Sequence, residues 1–159
     1  SAPYEATWNT TLYADGAHTV KAVATDTAAQ TGQDVHNVSV ANTVSTVLHI
    51  GDLDGAATNS GLAKWNASVT IYVHDGNHTP IVGAVVNGNW SNGATGSASC
   101  TTDSAGKCTV SKTGMQRRSV ASVTFTVVSA SKSGYTYNSA LNHDPESDSN
   151  GTAIIVARP

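Results

Sequence analysis

Between Trp65 and Val128 the chain alternates apolar and polar residues with a period of two, and this pattern constrains its fold more than any other feature. Val69, Ile71 and Val73 point one way and Ser68, Thr70 and Tyr72 the other; Val123, Phe125 and Val127 alternate in the same manner with Ser122, Thr124 and Thr126. Such a period turns one face to a core and the other to water. Cys100 and Cys108 lie between these runs and flank a polar loop containing Asp103 and Gly106, where the backbone must reverse. They are placed for a hairpin disulfide, worth about 2.5 kcal/mol in the chain-entropy treatment. Such a bridge implies an oxidising, extracellular or cell-surface location.

Composition points the same way. Charged residues make up 12% and aromatics 6% of the 159 residues, leaving Thr, Val, Ser, Ala, Gly and Asn to fill most positions. Thr and Val suit pleated strands; Gly, Asn and Ser suit the turns between them. No window of a dozen residues carries a helical stripe, so an all-β fold is expected. A formal charge of -3 with eight Lys plus Arg spread along the chain gives no basic stripe for neutralising phosphates. Nucleic acid is therefore not expected as a partner. No apolar run is long enough for a membrane span, and the start at Ser1 reads as a processed or excised piece of something longer.

Two domains are expected, 1–42 and 43–159. In the first, strands are predicted over 4–8, 18–26 and 35–40, too few to bury a two-sided core. Strands in the second are predicted over 44–50, 65–74, 81–90, 94–101, 107–111, 119–130, 135–137 and 152–157, the number and spacing of an immunoglobulin-like sandwich.

The first segment carries Pro3-Tyr4, Trp8-Asn9-Thr10, Gly16-Ala17-His18-Thr19, Val23-Ala24-Thr25-Asp26 and a Val-rich ending at Asn42. In these it resembles the C-terminal half of a bacterial immunoglobulin-like repeat, which implies that three or four strands are missing on its N-terminal side. A half-sandwich exposes its inner face, so the second domain, or a strand from another molecule, is expected to cover it. Val73-His74-Asp75 through Pro80, Val82-Gly83-Ala84-Val85-Val86, Gly88 with Trp90, Thr102-Asp103 with Gly106 and Cys108, and residues 122–127 resemble a second bacterial group. It comprises the sandwich modules at the C-termini of secreted multidomain proteins, some subtilisin-like peptidases among them, with a distant likeness to invasin-type repeats.

Two acidic clusters bracket the second domain: Asp52-Leu53-Asp54-Gly55 after the first predicted strand, and residues 143–151 before the last. Asp-x-Asp-Gly and Asp-x-Asn-Gly are half-patterns of calcium loops, with oxygen ligands on alternate residues and a glycine that lets the backbone fold round the ion. Asp52, Asp54, Asp144, Asp148 and Asn150 are thus candidate ligands of a shared Ca²⁺, although neither cluster supplies the later bidentate Glu of a full loop. The alternative is two Asx-rich turns. Among the histidines, His74 and His78 straddle a turn, while His18, His36 and His49 stand isolated and His143 adjoins the acidic cluster. No transition-metal site is expected from that spacing.

No catalytic residue is assigned, because the chain has no Gly-x-Ser-x-Gly elbow and no cysteine beyond the pair. Tyr72, on the polar side of its strand, and Trp90 are candidates for surface recognition, with strand-end core packing as the alternative for a Trp. Asn9, Asn37, Asn66, Asn77, Asn89 and Asn150 head Asn-x-Ser/Thr sequons open to glycosylation. The expected function is a non-catalytic extracellular structural or adhesive protein, a spacer or a subunit of a surface or filamentous assembly. Its partners would be copies of itself, further repeats, or a surface glycan or protein. The alternatives are an accessory module of a secreted hydrolase and a carbohydrate-binding module.

Overall fold

The computed structural model describes residues 5–42 and 45–159, which fall into two compact units, Ser1–Val44 and Ser45–Pro159. The fold is all-β; the helical segments among the described residues are two single 3-10 turns, Thr10–Leu12 and Ser139–Leu141. Among the described residues no helix is long and apolar enough to cross a membrane.

The first unit is a hairpin of β1 (Gly16–Thr25) and β2 (Thr31–Val40), antiparallel in unbroken register from Gly16↔Val40 to Thr25↔Thr31. Its reversal is built by Asp26, whose Oδ1 accepts from the backbone N–H groups of Ala28 and Gln30 at 2.9 Å each, with Ala29 at φ 61°. Residues 5–9 form no strand, contrary to the strand expected over 4–8, whose first residue lies outside the described residues. In its place Trp8, Tyr13 and His18 pack edge to face, with ring centroids 5.2 to 5.9 Å apart. Asn42 ties the end of the unit to the 3-10 turn by donating to the carbonyls of Thr10 at 2.6 Å and Tyr13 at 2.9 Å. Within the two strands only Val40 is buried.

Eight strands form the second unit: β3 (Val47–Ser60), β4 (Lys64–Asp75), β5 (Val85–Ser91), β6 (Gly96–Thr101), β7 (Lys107–Gln116), β8 (Ser122–Ser131), β9 (Thr136–Tyr137) and β10 (Ala153–Ala157). They make two four-stranded sheets, in the orders β7-β4-β3-β9 and β10-β8-β5-β6. One core joins them. Leu48, Ile50, Leu53, Val69, Ile71 and Val73 from the first sheet meet Val86, Trp90, Val123, Phe125, Ile154 and Val156 from the second. The alternation seen in the sequence is realised: β4 buries every second side chain from Trp65 to Val73. Trp65, fully buried, keeps its indole N–H satisfied by the Val120 carbonyl at 3.1 Å.

Three expectations need correction. The first strand of this unit was expected to stop at Ile50, with Asp52-Leu53-Asp54-Gly55 as a loop; instead β3 runs on to Ser60, paired with β4 along its length. Hydrogen bonding to a long neighbour overrides the low strand propensity of Asp and Gly. Residues 81–84 lie outside β5, because a buried Thr102 hydroxyl donates to the Ile81 carbonyl at 2.6 Å and accepts from the Ala84 N–H at 2.8 Å, holding that segment as a turn. The Cys100–Cys108 bridge is present, yet its cysteines belong to β6 and β7, edge strands of opposite sheets. The disulfide therefore staples the two layers together and does not close a hairpin.

Candidate metal centre

One irregularity in β3 creates the site. The β3–β4 register begins at Ser60↔Lys64 and, continued without a slip, would set His49 opposite Asp75; a bulge between Ile50 and Asp52 moves it to His74. Both imidazoles then lie on the sheet face away from the core, since Ile50 and Val73 beside them point inward. The bulge residue is Gly51, and a Cβ there would stand 1.4 Å from Nε2 of His74. Only glycine leaves room for that ring.

Two further histidines are brought in by loops. After β4, Asp75 Oδ1 accepts from the N–H groups of Asn77 at 2.8 Å and Thr79 at 2.9 Å, and the Thr79 carbonyl accepts from the Asp75 N–H at 2.9 Å. This tight reversal holds His78 at φ 60°, a left-handed conformation that is uncommon for a non-glycine residue. It sets Nδ1 of His78 3.2 Å from Nδ1 of His74. His143 arrives from the segment before β10, which Asn142 clamps onto β3: its Oδ1 accepts from the Ile50 N–H at 2.9 Å, and its amide donates to the Tyr137 hydroxyl at 2.8 Å and to Thr152 Oγ1 at 3.0 Å. The His143 N–H in turn donates to the Ile50 carbonyl at 3.1 Å. Gly151 is needed at this crossing, because a Cβ would come within 2.5 Å of the His143 nitrogen.

The result is a set of four imidazoles, His49, His74, His78 and His143, each with a ring nitrogen within 4.8 Å of the others. His49 and His74 are buried, 2% and 4% exposed, and their rings are 4.5 Å apart between centroids. His49 Nδ1 and His74 Nε2 are buried with no hydrogen-bond partner among the described residues. Orphaned buried polar atoms each cost about 1–3 kcal/mol and call for an explanation. Burial, reinforced by the neighbouring His49, His78 and His143, pushes His74 down to about 4. His49 is lowered too, by burial first and then by His143 and His78, with Asp75 pulling the other way. Both rings are therefore neutral, with a lone pair to offer. Tyr72 stacks on His74 at 5.0 Å and 12°, and Lys107 lies over the Tyr72 ring at 5.3 Å.

Beside this cluster the carboxylates of Asp52, Asp144 and Glu146 lie within 4.8 Å of one another. Residues of the two acidic segments expected to share an ion lie together here, through the loop that Asn142 holds along β3. Burial, with the nearby charges of Asp54, Glu146 and Asp144, raises Asp52 to about 6. Asp144 is partly desolvated but is held below the ordinary range by the Ser149 hydroxyl and the Ser147 N–H. Asp148 is raised by burial and by Asp144. Asp54 is exposed on β3, and Asn150 spends its Oδ1 on the N–H groups of Thr152 at 3.0 Å and Ala153 at 2.7 Å, an Asx turn. Of the five expected calcium ligands, Asp52 and Asp144 fall into the three-carboxylate group; Glu146, not among the five, completes it.

Other expected positions sort as follows. Trp90 is not a surface residue: it is buried in the core with its ring 5.0 Å from Phe125. Tyr72 is half-buried on the outer face. Of the sequon asparagines, Asn9, Asn37, Asn77, Asn89 and Asn150 are exposed and Asn66 is half-buried, accepting from the Gly114 N–H at 2.9 Å. Sequence reasoning missed the histidine set, because His49 and His143 stand 94 positions apart and converge only through the bulge and the Asn142 clamp. The visible signal was a histidine at an outward position on each of the first two strands of the unit. Comparison of the chain with family models, with curated proteins and with solved structures found no match.

Proposed function

We propose that this chain is a non-catalytic, extracellular structural or adhesive protein built of immunoglobulin-like modules, in which the β1–β2 unit is completed by a sheet layer from a neighbouring module. One observation carries the reading. The hairpin presents Val20, Ala22 and Ala24 with Val38 on one face, Val20 44% and Val38 37% exposed, and the only groups set among them from the facing strand are Gly32 and the paired Asp34 and His36, while its ladder is complete. An isolated two-stranded hairpin is marginal in water, and the exposed valine and alanine side chains on this face suit burial against a further layer. The immunoglobulin-like part is supported by chain order: the first, second, fifth and the two-residue seventh strand of the larger unit share one sheet, and the third, fourth, sixth and last share the other, as in a Greek-key sandwich. The Cys100–Cys108 bridge supports the extracellular setting.

Light scattering and electron microscopy over a range of concentrations test the proposal. Association that grows with concentration is expected, and it should be abolished by Val20→Lys with Val38→Lys, exposed changes that leave the larger unit intact. A monodisperse monomer at the highest attainable concentration would contradict it.

A further inference from the structure

We propose that His49, His74, His78 and His143 bind one divalent transition-metal ion of the zinc, copper or nickel class, and that this ion pins the segment carrying His143 to the outer face of the β3–β4 sheet. The proposal stands on four independent features. The donor set is all imidazole, which suits Zn²⁺, Cu²⁺ and Ni²⁺, whereas Ca²⁺ and Mg²⁺ want oxygen. The spacing is close to coordination geometry: nitrogens bound to one tetrahedral zinc at about 2.0–2.1 Å are separated by about 3.3 Å. His74 and His78 already place their Nδ1 atoms 3.2 Å apart, and a suitable nitrogen of each of the four lies within 4.8 Å of the rest. Of the four, the half-buried His143 and the exposed His78 have the most room to rotate toward an ion.

An orphaned atom supplies a third feature, since the buried Nδ1 of His49 lacks any hydrogen-bond partner among the described residues and a shared cation would satisfy its lone pair; the orphaned Nε2 of His74, packed over Gly51, is not the nitrogen that faces His78 and is not counted. The fourth is the support behind the ligands. His143 turns Nδ1 to the Leu141 carbonyl at 3.1 Å, which makes that nitrogen the donor and leaves Nε2 as the free lone pair, the arrangement by which metal-binding histidines are oriented. Gly51 admits the His74 ring, the Asp75 reversal fixes His78, and Asn142 fixes His143. The ligands come from β3, from β4 and the loop after it, and from the segment before β10, so a single ion would cross-link three stretches of chain. Such an ion binds only the folded state and raises its stability by mass action.

The experiment uses the whole chain, freed of metal with a chelator and titrated by calorimetry with Zn²⁺, Ni²⁺ and, as the control cation, Ca²⁺. One equivalent of Zn²⁺ is expected to bind and to raise the melting temperature. Co²⁺ should give the visible absorption of a four-coordinate nitrogen site. His78→Ala with His143→Ala, neither in the core, should weaken Zn²⁺ binding by about a hundredfold or more and remove the Co²⁺ band, with the metal-free melting temperature confirming that the variant folds. Asp52→Asn with Glu146→Gln and, in the other unit, His18→Ala should each retain the Co²⁺ band. Absence of stoichiometric Zn²⁺ binding, Zn²⁺ binding that survives the double histidine change, or loss of the band in the carboxylate variant would overturn the proposal. None of these outcomes depends on whether the chain assembles.

Discussion

The chain contains two long antiparallel hairpins with nearly the same ladder and opposite surroundings. β1–β2 pairs ten residues against ten without a slip, and every residue but Val40 stays open or half-open to water. β3–β4 pairs over a similar length with one bulge, yet its inner face is sealed by a second sheet and the open end of its outer face by the Asn142 clamp and the histidines. Hydrogen bonds are therefore not what separates them. A backbone hydrogen bond contributes about 0.5–1.5 kcal/mol net, and each hairpin makes many of them. Burying a Leu, Ile or Phe side chain contributes about 1.5–3 kcal/mol, and only β3–β4 does so repeatedly.

Point changes can break this contrast, the largest effect coming from the core. Trp65→Ala should destabilise the larger unit by about 3–5 kcal/mol, because the fully buried indole leaves both a cavity and an unpaired Val120 carbonyl. The matching change in the open hairpin, Val23→Ala, removes a side chain that is 56% exposed. It should shift stability by no more than about 0.5 kcal/mol. Urea unfolding curves of the two variants make the comparison, and equal effects would refute the division.

A smaller effect, seen on the buried hairpin, comes from pH. His74 titrates at about 4 in the fold against 6.5 when free, so between those values the unfolded chain takes up a proton that the folded one refuses. Stability is then full above 6.5 and is lost as pH falls toward 4, and His49 adds to the loss in the same direction. Asp52 opposes this: raised from 3.8 to about 6, it accepts a proton in the fold before the unfolded chain does, so its share of stability increases as pH falls through about 6. In chelator, the melting temperature of the larger unit should fall between pH 6.5 and 4. In Asp52→Asn it should start higher at pH 7 and fall more steeply.

The sequence rendered the inside of the molecule far better than its outside. Val69 to Val73 and Val123 to Val127 could be assigned to a core because alternate burial writes itself as period two, and the strands containing them were placed with ends only a few residues off. The far half of β3 was not legible, since Asp52, Asp54 and Gly55 carry the composition of a turn and owe their extended shape to β4. The disulfide pair was evident, but which layers it joins depends on the crossing held by Thr102. For the candidate site, the meeting of Asp52 with Asp144 was anticipated, whereas the four histidines depend on a one-residue bulge at Gly51 and on a clamp made by a single asparagine. Neither device has a periodic signature.

Hydrogen exchange at backbone amides, read residue by residue on dilute protein, tests the central contrast most directly. The account predicts that β3 and β4 amides flanking Leu48, Ile50, Val69 and Val73 are protected to the level of global unfolding, while those of β1 and β2 exchange orders of magnitude faster and gain protection only as concentration is raised. Equal, strong protection of both hairpins in the dilute monomer would contradict it.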